Sequence, residues 1–216
     1  MYPQKKYIII ATAILLCIFA AIPKGFAQKA SLNIEPSSAV ISNVGETVTI
    51  NITIHDMPSP GLFSYQLKIY FNKAYLKATS ASIPTGHFLT PTSGVPPGIF
   101  IVDPGTIDNN AGTVSFAATL LAPETGKTGS GVLCQITFEG LAEGVSQITF
   151  GEPGSEVILA DPEANEIPSA NYDLNGGQIT VVPEFSSMLV VLLLLVTLMS
   201  VIVLRKKNLI KTKTSY

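Results

Sequence analysis

The sequence predicts an all-β fold built as a sandwich of two sheets, and three observations predict it. Apolar residues recur at every second position in run after run, the period of a strand with one buried face. Clusters of Gly, Pro and Asn separate these runs. Outside the two ends of the chain, no stretch keeps a helical period for three turns. One sheet of such strands would leave its apolar face in water, so a second sheet must cover it.

In chain order, Val48, Ile50, Ile52 and Ile54 alternate with Thr49, Asn51 and Thr53. Phe63, Tyr65, Leu67, Ile69 and Phe71 alternate with Ser64, Gln66, Lys68 and Tyr70. The pattern returns at Val114, Phe116, Ala118 and Leu120, and again at Val132, Cys134, Ile136 and Phe138. Shorter runs occupy Ser146–Phe150, Glu156–Ala160 and Gly177–Val182. The breaks are Pro58-Ser59-Pro60-Gly61, Pro96-Pro97-Gly98, Asp103-Pro104-Gly105, Asn109-Asn110-Ala111-Gly112 and Asn175-Gly176-Gly177. Glycine supplies positive φ and proline presets the first corner of a turn, so each break has a mechanism. The alternation places Ser64, Gln66, Lys68 and Tyr70 outside, together with Ser115, Ala117, Thr119 and Leu121.

Two segments flank this domain. Lys5 and Lys6 precede an apolar run from Tyr7 to Ile22, and Gly25-Phe26-Ala27 offers small residues where signal peptidase wants them. Residues 1–27 therefore read as a signal peptide cleaved after Ala27. Met188 to Leu204 is uninterrupted by charge and, with Ser186 and Ser187, spans about 30 Å of hydrocarbon as a helix. The cluster Arg205-Lys206-Lys207 behind it keeps the tail, residues 205–216, in the cytoplasm by the positive-inside rule. The expected organisation is one extracellular domain at 28–182, a linker at 183–187 and a single transmembrane helix at 188–204.

Charge and cysteine usage narrow the function classes. Between Gln28 and Val182 stand five lysines, no arginine and 14 carboxylates, a net charge near −9 that the whole-chain value of −2 conceals. Such a surface repels nucleic acid, whose phosphates require clustered Lys and Arg. Cys17 leaves with the signal peptide, so Cys134 is the lone thiol of the domain and no disulfide forms within it.

Four segments carry a resemblance. They are Val44-Gly45-Glu46-Thr47-Val48-Thr49-Ile50, Gly61-Leu62-Phe63-Ser64-Tyr65-Gln66-Leu67-Lys68-Ile69-Tyr70-Phe71-Asn72-Lys73-Ala74-Tyr75-Leu76, Gly131-Val132-Leu133-Cys134-Gln135-Ile136-Thr137-Phe138 and Gly176-Gly177-Gln178-Ile179-Thr180-Val181. In this order and spacing they resemble the strands of cohesin domains, over residues 31–182. The resemblance implies a jelly-roll sandwich of about nine strands. It also implies a partner: in that family one sheet face receives a dockerin, a small calcium-loaded helical module carried by another protein.

The resemblance places part of that face on the outward positions of Phe63–Phe71. The family's Asn and Asp contact positions fall on Ser64 and Gln66, so a neutral amide replaces an anionic acceptor. A further acidic contact falls near Thr119, again without charge. Charge-assisted hydrogen bonds are roughly twice as strong as neutral ones, so the usual dockerin is expected to bind poorly. The expected partner surface is Ser64, Gln66, Lys68, Tyr70, Thr119, Leu121 and Leu133, with the two leucines exposed. Calcium is expected on the dockerin and no cofactor on this chain.

Other chemistries find less material. His55 and His87 lie 32 residues apart with no flanking signature and read as exposed polar residues. Cys134 alternates inward with Ile136 and Phe138 and reads as a buried structural thiol. With no poised acid, base or nucleophile, an enzyme is not expected. Asp161-Pro162-Glu163-Ala164-Asn165-Glu166 and Asp173-Leu174-Asn175 gather oxygen ligands but lack the spacing of an EF-type calcium loop, so they read as solvated acidic turns. Direct polysaccharide binding is the main alternative to a dockerin. It would need stacking rings, and a chain without Trp offers only Tyr70, Tyr75, Phe88 and Tyr172, which form no single stripe. Asn51-Ile52-Thr53 is an N-glycosylation sequon with Asn51 outward.

The linker resembles a known sorting signal. Pro183-Glu184-Phe185 before a membrane helix and a basic cluster is similar to archaeal PEF-type tails, which a membrane transpeptidase cuts to move the domain to another anchor. Residues 206–216 make a longer end than those tails carry. The combined expectation is a surface-anchored module that holds a dockerin-bearing, polysaccharide-degrading partner at the cell exterior; a carbohydrate-binding, adhesion or envelope domain is the alternative.

Overall fold

The computed structural model of the protein describes residues 29–182 and 192–202. The strands are β1 (Ala30–Glu35), β2 (Ser38–Ile41), β3 (Thr47–Leu62), β4 (Ser64–Tyr70), β5 (Leu76–Ser82) and β6 (Ile99–Asp108), then β7 (Thr113–Leu120), β8 (Lys127–Gly140), β9 (Gly144–Phe150), β10 (Ile158–Ala160), β11 (Tyr172–Asn175) and β12 (Gly177–Val181). They form a five-stranded sheet in the order β11-β1-β3-β8-β5 and a seven-stranded sheet in the order β2-β12-β9-β4-β7-β6, with β10 also on β4. The strand number exceeds nine because β2, β10 and β11, of three or four residues each, are separate pieces.

The alternation does what a half-buried strand requires. Ile50, Ile52 and Ile54 of β3 and Ile136 and Phe138 of β8 meet Tyr65, Leu67 and Ile69 of β4 and Phe116 of β7 in a closed core. Phe71 and Phe138 pack edge to face, with ring centroids 5.1 Å apart. Each large apolar side chain removed from water contributes about 1.5–3 kcal/mol. Among the described residues, this core lies between Ala30 and Val181.

Some expected breaks lie inside strands. Asp103-Pro104-Gly105 falls within β6, where the β6–β7 register shifts between Ile101 and Asp103 and between Asp103 and Thr106. Pro58-Ser59-Pro60-Gly61 falls within β3, beside register shifts around Met57. Proline removes a ladder donor without ending the strand, and the irregularity absorbs the loss. Asn109–Gly112 is a true turn: Gly112 has φ +73°, and an added Cβ would stand 2.6 Å from the Phe71 carbonyl oxygen.

Leu133 corrects the sequence reading. It is fully buried, at 0% exposure, and sits on β8 in the five-stranded sheet, away from the face it was expected to join. The cause is a bulge: Ile52 pairs with Cys134 while Thr53 pairs with Val132, which leaves Leu133 as the extra residue. Strict alternation puts Leu133 opposite to Cys134, whereas the bulge turns both inward.

Ala27, Pro183, Glu184 and Phe185 lie outside the described residues, as do the signal peptide, the linker and the basic tail. Residues 192–202 are helical with exposed apolar side chains. Among the described residues no helix is long and apolar enough to cross a membrane, and the remainder of 188–204 lies outside them.

Candidate functional site

β4 runs through the seven-stranded sheet with β7 on one edge and β9 and β10 sharing the other. Between β9 and β10 the chain leaves the ladder, and residues 151–157 form a raised excursion beside β4. Tyr65, Leu67 and Ile69 point into the core, so Ser64, Gln66, Lys68 and Tyr70 point out. The register sets Ser64 opposite Thr119, Gln66 opposite Ala117 and Lys68 opposite Ser115. β6 extends those rows with Phe100, Asp103 and Thr106. Five expected residues, Ser64, Gln66, Lys68, Tyr70 and Thr119, therefore share one face. Leu121 is half-buried just beyond β7, its N–H bonded to the Gly98 carbonyl at 2.9 Å.

The face is a shallow trough. Ser64, Ser115, Ala117 and Thr119 make a floor of small side chains, Val102 forms one wall, and Glu156 and Ile158 form the other. Two adjoining hollows of about 390 and 270 Å³ meet at Gln66 and Ala117. Phe100 and Val102 project from the edge strand with 57% and 61% exposure.

Two carboxylates, Glu156 and Asp103, border the face. Glu156 Oε1 accepts from Tyr70 Oη at 2.6 Å and from Lys68 Nζ at 2.9 Å. These contacts, with the Glu152 N–H, hold the Glu156 carboxyl down to about 2. Bonding to Glu156 first, and then to Tyr70, pushes the Lys68 ammonium up. Burial alone would raise Asp103; hydrogen bonds from Ser115 Oγ at 2.6 Å, from the Gly105 N–H and from Thr106 outweigh it and leave the carboxyl below its usual range. Lys68 and Tyr70 are thus committed to Glu156, and Gln66 Nε2 donates to the Ser155 carbonyl at 3.3 Å. The side chains on this face without a hydrogen-bond commitment are Ser64 and Ala117 together with Phe100 and Val102.

Sequence reasoning missed Glu156, Asp103, Phe100 and Val102. Glu156 opens a short apolar run and reads as a strand residue, while Asp103 reads as a turn. Gly98-Ile99-Phe100-Ile101-Val102 shows four consecutive apolar residues with no alternation, the one available signal that a strand there has both sides apolar.

The remaining residues sort plainly. Cys134 is a buried free thiol, and burial raises its pKa well above the usual value. His55 is half-buried on β3 and pairs with Glu35 at 2.8 Å. His87, expected to be exposed, is nine-tenths buried because its loop folds back on β8. Tyr172 is buried and Tyr70 is tied to Glu156, so the four expected rings do not form a stacking platform. Asp161 accepts from the Glu163 and Asn165 N–H groups and from Asn165 Nδ2, capping its own turn. Among the described residues, no three His, Cys, Asp or Glu side chains are grouped to hold a metal. Asn51 lies on the outer face of the other sheet, its Oδ1 accepting from Gln135 Nε2 at 2.8 Å.

Comparison with known proteins adds a family. The family model for the cohesin domain matches residues 32–181. Among solved structures, the third cohesin of ScaC in complex with the ScaB dockerin, from Acetivibrio cellulolyticus, is 16% identical with a TM-score of 0.55 over 71% of this chain and 99% of that one. A type I cohesin–dockerin complex from Clostridium thermocellum is 14% identical with a TM-score of 0.52 over 72% and 100%. A non-cellulosomal cohesin from the hyperthermophilic archaeon Archaeoglobus fulgidus is 10% identical with a TM-score of 0.52 over 74% and 96%. These likenesses show the fold. No curated protein matches the chain.

Proposed function

The chain belongs to the cohesin domain family, whose members are non-catalytic binding modules, and we propose that it docks a dockerin-bearing partner on the trough of its seven-stranded sheet. The observation that carries this reading is the floor of Ser64, Ser115, Ala117 and Thr119 between an apolar lip, Phe100 and Val102, and an acidic wall, Glu156. A central strip of small residues lets a flat partner surface approach the backbone, and exposed apolar side chains at its border supply the anchors typical of interfaces. Asp103 on β6 and Glu156 in the 151–157 excursion give the partner carboxylate oxygens beside Gln66 and Thr119, where the family's own acidic contacts are absent.

The rest of the reading follows from the flanks. The signal peptide exports the domain, and the apolar segment 188–204 holds it at the outer side of the cell membrane until a sortase-like enzyme acting at Pro183-Glu184-Phe185 transfers it to another anchor. Calcium belongs to the partner. The partner is expected to act on polysaccharide. A glycan on Asn51 would stand on the opposite sheet and leave the trough open.

The test is capture from the organism's extracellular fraction with residues 28–182 as bait, in calcium and then in chelator. A dockerin-bearing protein recovered in calcium, released by chelator and lost with the Ala117→Lys bait is the expected result. Capture that ignores both chelator and Ala117→Lys would defeat the proposal.

A further inference from the structure

Exposed aliphatic side chains gather at one end of the sandwich. β2 and β12 run parallel and finish together there, and the Val182 N–H donates to the Ile41 carbonyl at 3.0 Å. The turns from β2 to β3, from β4 to β5 and from β8 to β9 share this end. In them the Gly45 N–H donates to the Gly140 carbonyl and the Leu141 N–H to the Tyr75 carbonyl, each at 2.8 Å. Val40, Val44, Leu141 and Val145 are 42–58% exposed here. Val40 and Val145 flank Thr180 in one row across β2, β12 and β9, and Val44 and Leu141 stand on the adjoining turns. Among the described residues of the domain, the other large apolar side chains so exposed are the lip on β6 and Val95. Val95 lies at the opposite end, in the connection from β5 to β6.

The chain leaves the domain at the aliphatic end. Five residues, 183–187, separate Val182 from the apolar segment that begins at Met188. Fully extended, that stretch reaches about 20 Å. The headgroup layer of a bilayer is itself about 6 Å thick. An anchor at 188–204 therefore keeps this end within one short linker of lipid.

Charge selects the kind of surface that the end can meet. The three turns carry Glu46, Lys73 and Glu143, one net negative charge, so anionic lipid would not attract them. A second copy would set both carboxylates against their own images. A zwitterionic headgroup layer imposes neither penalty, and it takes up apolar side chains to a depth of about 5–10 Å. The tether makes even weak uptake effective, because the patch meets lipid as an intramolecular event.

We propose that Val40, Val44, Leu141 and Val145 seat the domain on the zwitterionic headgroup layer of the membrane that anchors it. This seating rests on the reading of 188–204 as a membrane anchor and is separate from partner docking. It stands the strands upright on the bilayer. The trough on the outer face of β4 and β7 then opens sideways, along the membrane, with the β5–β6 connection furthest from lipid.

The chain contains no Trp, so one introduced tryptophan is the sole indole. Residues 28–216 carrying Leu141→Trp, Val95→Trp or Val196→Trp are reconstituted into phosphatidylcholine vesicles, with and without bromine on the upper acyl chain. Bromine quenches an indole only at close contact. Leu141→Trp and Val196→Trp are expected to lose roughly half of their fluorescence in brominated lipid, and Val95→Trp none. Adding Val44→Ser and Val145→Ser, both at exposed sites, is expected to return the Leu141→Trp signal to its level in unbrominated lipid. An unquenched Leu141→Trp beside a quenched Val196→Trp overturns the seating and leaves the anchor standing. An unquenched Val196→Trp overturns both. Equal quenching of Val95→Trp, or quenching of Leu141→Trp that survives the two serines, also defeats the seating, because nearness to the anchor alone then explains the contact.

Discussion

Glu156 Oε1 stands 2.6 Å from Tyr70 Oη, and this contact fastens the 151–157 excursion to the face of β4. The wall of the trough is therefore held by a carboxylate, and its rigidity depends on pH. Glu156 is held down to about 2 from an ordinary 4.5 by Tyr70, Lys68 and the Glu152 N–H. Glu124 is held to about 2 by Ser93 and Thr92, with Lys127 contributing less.

A carboxyl with a depressed folded pKa is protonated first in the unfolded chain. Its stabilisation is complete above pH 4.5 and fades as pH falls toward 2. Melting temperature should therefore drop through that window in the parent. Glu156→Gln and Glu124→Gln should each melt lower at neutral pH and show a shallower drop in acid. Thermal melts across a pH series measure this, and a parent-like slope in Glu156→Gln would show that its contacts add no stability.

Leu133 and Leu121 should separate stability from binding. Leu133 is fully buried, so Leu133→Ala opens a cavity and should cost about 2–5 kcal/mol in denaturant unfolding. Its folded fraction should bind partner normally, because the residue belongs to the other sheet. Leu121 is half-buried at the end of the trough strand, so Leu121→Ala should cost about 1 kcal/mol or less in stability while weakening partner capture.

This contrast marks how far the sequence could be read. Period-two alternation is a local signal, so β3, β4, β7, β8, β9 and β12 were legible, and with them the outward set on β4 and β7. A bulge breaks the period by one residue and leaves no trace in composition, which is why Leu133 was misplaced. β1 was legible in principle, since Ala30, Leu32 and Ile34 alternate perfectly, but it offers little length beside the breaks that follow. Glu156 and Asp103 reach the face through register and through the 151–157 excursion, which are properties of pairing between distant segments. The burial of His87 has the same origin, because a loop read as exposed polar chain docks on β8.

Asn109 should prove structural. Its Nδ2 donates to the Ala78 carbonyl at 3.0 Å and its Oδ1 accepts from the Ala78 N–H at 2.8 Å, so one side chain imitates a strand neighbour for β5. Asn109→Ala leaves both backbone groups of a buried residue unpaired and should cost about 1–3 kcal/mol. Asn109→Asp keeps the acceptor and loses the donor, so it should fall between the two in chemical denaturation.

The apolar lip gives the sharpest map of the docking surface. Phe100 is exposed beside Thr119 and makes few demands on the fold, so Phe100→Ala should leave unfolding within about 0.5 kcal/mol of the parent. If the partner sits in the trough, the same change removes an aromatic anchor and should weaken capture about tenfold or more. Ala117→Lys places a long cation on the floor between Gln66 and Asp103 and should abolish capture outright. Val40 is the control: it is 58% exposed on the same sheet, but on β2 at the far edge, where it pairs across Thr180. Val40→Ala should bind as the parent does. Affinity measured on captured partner separates the two ends of the sheet, because sensitivity at Val40 with indifference at Phe100 would move the interface to the β2–β12 end.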